Sequence, residues 1–89
     1  MTFSIINGHK VRLEKSNEVY KDHWLIEVDE GNASFHAHCK LYSEGMSARA
    51  EALSSDVPGD ANRMDAWLHS LSTSDVRSII AIASRPDES

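Results

Sequence analysis

Apolar and polar residues alternate through two consecutive stretches of this chain, Trp24, Ile26, Val28 and then Phe35, Ala37, Cys39, Leu41. A strand sends successive side chains to opposite faces, so a period of two predicts half-buried strands whose apolar members form one core face. Gly31-Asn32 lies between them and tolerates the backbone of a tight hairpin. Closing the hairpin there pairs Val28 with Phe35, Ile26 with Ala37 and Trp24 with Cys39, apolar against apolar throughout. A second turn at Glu44-Gly45 predicts a third strand, with Leu41 opposite Ala48, Cys39 opposite Ala50 and Ala37 opposite Ala52. That strand gives only small side chains to the shared face.

The other face of the same three strands carries Leu25, Glu27, His36, His38, Lys40, Tyr42, Arg49, Glu51 and Leu53. In this register Glu27 falls beside His36, His38 beside Glu51, and Lys40 beside Arg49. Upstream, Asn7-Gly8 separates two β-prone stretches and predicts an N-terminal hairpin. Its alternation is poorer, because Phe3 and Ile5 come to face Arg12 and Lys10, which points to a bulge. The polar residues Ser16-Asn17-Glu18 and Tyr20-Lys21-Asp22 then carry the chain to the central strands.

The period changes after the third central strand. Ser54 to Asp60 reads as a loop, since Pro58-Gly59 stops regular structure and the acidic residue can cap the next element. Met64, Trp67, Leu68 and Leu71 then recur at helical spacing and leave Arg63, Asp65, His69 and Ser70 outside, an amphipathic helix over about 61–71. The row Ala48, Ala50, Ala52 gives its apolar stripe a surface it can approach closely. Val76 to Ala83 is rich in β-branched residues yet also fits a helical stripe through Val76, Ile79, Ile80 and Ala83. Ser72 followed by Asp75 resembles a capping pair and favours a helix from about 74, with a final strand as the alternative. The pattern as a whole predicts one α+β domain over residues 1–84: an antiparallel meander of four to five strands, then one or two C-terminal helices packed on one face. Residues 85–89 read as a frayed tail.

Composition narrows the function classes. At 89 residues the chain is the size of one small domain, and 40% hydrophobic with 26% charged residues is ordinary for a globular protein. A formal charge of −5 repels a phosphate backbone, which argues against nucleic acid as a partner. No apolar run approaches the roughly 20 residues that span a bilayer, so no membrane role is expected. A single cysteine on the apolar face reads as core packing, and a reducing cytoplasm is the simplest setting.

Candidate chemistry is sparse. His36-Ala37-His38 projects two imidazoles the same way about 7 Å apart, a spacing that can seat two metal ligands. Glu27 and Glu51 flank the pair and complete a candidate set for zinc or a similar cation. The competing reading is a set of cross-strand ion pairs on a solvated face. His69 stands four residues after Asp65 and reads as an exposed helical pair. No nucleophile elbow and no phosphate-cradling glycine run occurs, and a thin sheet with one or two helices encloses little volume, so neither catalysis nor a cofactor is expected. The outer face mixes leucine, tyrosine, histidine and both signs of charge, a composition suited to a protein interface. The expectation is a small regulatory or inhibitor-type module acting through a protein partner or self-association, with metal binding by His36, His38, Glu27 and Glu51 as the alternative.

Overall fold

Side-chain alternation and turn chemistry build the sheet locally, hairpin by hairpin. The computed structural model describes residues 2–16, 19 and 22–84. In chain order they form β1 (Thr2–Ile6), β2 (His9–Lys15), β3 (His23–Asp29), β4 (Ser34–Glu44), β5 (Ser47–Ser54), α1 (Asp60–Ser70) and α2 (Thr73–Ala83). The strands make one antiparallel sheet in the order β1-β2-β3-β4-β5, so each pairs only with its neighbours in sequence. The expected connectors Asn17, Glu18, Tyr20 and Lys21, and the tail from Arg85 to Ser89, lie outside the described residues.

The β3–β4 hairpin has the register read from the pattern, Val28 with Phe35, Ile26 with Ala37 and Trp24 with Cys39. Gly31 turns it with φ 97°, and the Asp29 carboxylate accepts a 2.8 Å hydrogen bond from the Gly31 amide. The N-terminal hairpin turns through Asn7 and Gly8, both at positive φ, and its pairing is continuous. The expected bulge is not there: Phe3 simply pairs with Arg12 and Ile5 with Lys10.

The β4–β5 register departs from expectation. Leu41 pairs with Ala50 and Cys39 with Ala52, so β5 is shifted by two residues from the predicted alignment. Two causes are visible. Gly45 takes φ 57° as the first central residue of the turn, a place that a hairpin turn of this kind reserves for glycine. The shift also separates Lys40 from Arg49, which the predicted register set face to face as like charges, and places Glu51 opposite Lys40. A shift of two preserves which face each residue occupies, so the core row of alanines survives. A bulge between His38 and Cys39 ends the regular pairing, with Cys39 opposite Ala52 but His38 opposite Ser54.

Both helices lie on the same side of the sheet, α1 over β4 and β5 and α2 over β5, β4 and β1. Met64 and Leu68 of α1 and Val76, Ile79 and Ile82 of α2 are buried against Val11, Ile26, Val28, Phe35, Ala37 and Cys39. The β-branched residues of α2 thus form a helix because their spacing matches its buried face, and Ser72 caps it by accepting the Asp75 amide at 3.1 Å. The start of α1 differs from expectation. Gly59 is the N-cap with φ 89° and brings no side chain of its own, and the Ser55 hydroxyl accepts the first-turn amide of Ala61 at 2.9 Å. Asp60 instead accepts the His36 amide at 3.2 Å, on the stretch of β4 that runs beyond the end of β5. One turn on, Asp65 is not an outward residue: it is half-buried and accepts the Ala52 amide at 3.3 Å.

Candidate functional site

Eight of the nine residues read as a candidate surface share one face, the side of the sheet that the helices leave bare. Strand alternation places Leu25 and Glu27 of β3, His36, His38, Lys40 and Tyr42 of β4, and Arg49 and Glu51 of β5 there, while Leu53 is the extra residue of the bulge, between Ala52 opposite Cys39 and Ser54 opposite His38. Glu27 pairs with His36, as the pattern predicted, and Leu25 with His38. The predicted neighbours His38 and Glu51 are not paired. The shifted register gives His38 to Ser54 and Glu51 to Lys40.

Charges on this face are largely matched within it. Arg12 of β2 donates to the Glu27 carboxylate at 3.2 Å, so Glu27 is engaged from the strand on the side opposite His36. Tyr42 stands between two cations, with the Lys40 ammonium 4.8 Å and the Arg49 guanidinium 4.4 Å from its ring centre. Its hydroxyl donates to Glu51 at 2.8 Å. That bond holds the phenol above its ordinary range, some desolvation and the Glu51 charge add to the effect, and Lys40 opposes it. Lys40 also lies 3.8 Å from the Asp22 carboxylate. The result is a polar network at the β4–β5 side and an Arg12–Glu27 pair at the β2–β3 side, with Leu25, His36 and His38 between them.

The four candidate metal ligands do not converge. Glu27 is turned to Arg12, Glu51 to Tyr42, and among the described residues no group of three or more His, Cys, Asp or Glu side chains is placed to hold a metal ion. Cys39 is fully buried on the opposite face, where its thiol donates to the Ala37 carbonyl at 3.4 Å. Burial, with a smaller contribution from Asp65, pushes this thiol up to about 12. A thiol so protonated is a poor nucleophile.

Pattern reading missed two parts of the surface. Arg12 belongs to the outer face, but the β2–β3 pairing that brings it to Glu27 comes after a connector whose polar, turn-forming residues do not fix a register. The second is a cluster at the far end of α1, where Arg63 pairs with Glu30, its guanidinium lies 4.9 Å from the Phe35 ring centre, and Trp67 meets the rings of His9 and Phe35. The indole N–H of Trp67 is buried there without a hydrogen-bond acceptor among the described residues. His69 pairs with Asp65 at 3.5 Å as the helical spacing predicted.

Comparison with models of known protein families, with curated proteins and with solved structures finds no match for this chain. The chemistry of its own surface is therefore the ground for a functional reading. No described helix is long and apolar enough to cross a membrane.

Proposed function

We propose that this chain is a non-catalytic binding module of the cytoplasm that acts by docking a protein partner, in the manner of a small regulator or inhibitor. The observation that carries this reading is the asymmetry of the sheet: α1 and α2 both pack on one side, and no described element covers the other. The bare face is not a purely solvated one. Leu25 is half-buried, Leu53 in the bulge at its border is 43% exposed, and Tyr42 is held between Lys40 and Arg49. Rigid aromatic and arginine side chains beside isolated leucines are the residues that anchor protein interfaces, because little side-chain freedom remains to be lost on docking.

The experiment compares three immobilised proteins: the wild type, a Leu25→Lys, Leu53→Lys double variant, and a control with Ser78→Lys on the exposed side of α2. A partner that uses the bare face is retained by the wild type and the control and lost by the double variant. Retention of the same species by all three would reject the reading.

A further inference from the structure

We propose that His36 and His38 are half of a zinc site, completed by the same pair from a second copy of this chain, and that the zinc-bridged dimer closes the bare face of the sheet. The regulation this implies rests on the reading of that face as a docking surface. The two residues alternate on β4 with buried Ala37 between them, so both side chains rise from the bare face about 7 Å apart. Neither imidazole has a hydrogen-bond or ion-pair partner among the described residues, whereas the nearby carboxylates Glu27 and Glu51 are engaged by Arg12 and Tyr42. The strand beneath them is held in place. Asp60 accepts the His36 amide at 3.2 Å, and β5 ends at Ser54 opposite His38, so no β5 side chain stands next to His36.

Two imidazoles are half of a tetrahedral set. Zinc takes four ligands in a closed structural site, and an imidazole nitrogen binds it at about 2.0–2.1 Å. One chain offers no third ligand, because no group of three or more His, Cys, Asp or Glu among the described residues is placed to hold a metal. A two-fold axis through the metal supplies the missing two at once, so the site is incomplete without the second copy. The depth fits as well. Two histidines about 7 Å apart that share one metal hold it about 5 Å above their strand, which is the midplane of two sheets packed roughly 10 Å apart. Glu27 pairs with His36 across the strands, the place from which a carboxylate orients a metal-bound imidazole.

Charge selects how the copies meet. A two-fold axis along β4 would set Lys40 of one copy over Lys40 of the other. An axis across the strands instead sets His36 over His38, lays β3 on β3 and β2 on β2 in opposite directions, and brings Lys40 over Ser34. In that register Arg12, which is opposite Glu27 and so level with His36, comes over Glu14, which is opposite Leu25 and so level with His38. The axis makes this contact between unlike charges occur twice. Leu25 of each copy flanks the metal, one strand away from it. The cation itself lies between two chains that each carry a formal charge of −5, and offsets part of their repulsion.

The test is native mass spectrometry and sedimentation velocity of untagged protein, first in EDTA and then with zinc chloride added stepwise. Zinc should convert monomer into a dimer that holds one metal per two chains, and EDTA should reverse it. His36→Ala and His38→Ala should each weaken zinc-dependent dimerisation by roughly tenfold or more, with the unfolding midpoint in EDTA kept. His69→Ala removes an exposed histidine of α1 and should dimerise like the wild type. Glu14→Lys sets a cation over Arg12 of the other copy, twice per dimer, and should weaken the dimer roughly threefold or more while all four ligands remain. A wild type that stays monomeric in zinc, a dimer without metal, or a dimer undiminished in both histidine variants or in Glu14→Lys overturns the proposal. Partner capture in EDTA reads the docking face without metal, so the two readings fail separately. A chain that captures its partner yet ignores zinc loses only this proposal, and a zinc dimer whose Leu25→Lys, Leu53→Lys variant still captures the same species loses only the docking one.

Discussion

Cys39 illustrates how a single side chain ties stability to pH. The folded thiol ionises near 12, against an ordinary value of 9.0, because burial penalises the thiolate and Asp65 adds to the penalty. A group whose folded value is raised contributes its full stability below the unfolded value and loses that contribution as pH climbs to the folded one. The window here runs from about 9 to about 12. Urea midpoints of the wild type should therefore fall faster above pH 9 than those of Cys39→Ala, the difference between the two curves removing the titration of lysines and tyrosines. Parallel curves would show that the thiol is not shielded. The same burial predicts that a thiol-alkylating reagent at pH 8 modifies the native protein only as fast as it opens.

At the scale of elements, the two aspartates of α1 are the least expected feature. Asp60 and Asp65 reach down from the helix to backbone amides of β4 and β5, and so fix the position of α1 along the strands as apolar packing alone does not. Replacing either with alanine leaves a sheet amide without its partner, and each variant should lose about 1–2 kcal/mol in urea unfolding. An unchanged midpoint in both would mean that packing by Met64 and Leu68 positions the helix unaided.

These elements also mark where the sequence is legible and where it stops being so. Alternation and helical spacing are local properties, so β3, β4, the core face and the stripe of α1 emerge from them directly. The cap formed by Ser72 resolved the β-branched run of α2 for the same reason. The register of β5 was not legible from apolar matching, because alanines at 48, 50 and 52 satisfy Cys39 and Leu41 equally well in either alignment. What distinguishes the two is the place of Gly45 in the turn and the polar side, through Lys40, Arg49 and Glu51. The reach of Asp60 to His36 and of Arg12 to Glu27 depends on tertiary placement and leaves no periodic trace. The candidate face was therefore identified correctly as a face, while the particular neighbours assigned to His38 and Glu51 were not.

For the whole molecule, division of labour along the chain is the governing fact. Every strand precedes every helix, and the core lies between them. A chain ending at residue 59 keeps all its strand pairings but bares Ile26, Val28, Phe35 and Cys39, whose cover comes from Met64, Leu68, Val76, Ile79 and Ile82. Such a fragment should scatter light and bind a hydrophobic dye at concentrations where the full chain does neither. A fragment that stays clear and dye-free would show that the sheet stands without its helical layer.

That ordering has a consequence during synthesis. Hairpins close in roughly microseconds, so the meander can form as soon as it leaves the ribosome. Ribosomes add about 5–20 residues each second, and the segment from Asp60 to Ala83 takes roughly one to five seconds to emerge behind it. For that interval the nascent protein is a sheet with one apolar side unroofed, and a chaperone that recognises exposed apolar strands has its opportunity then.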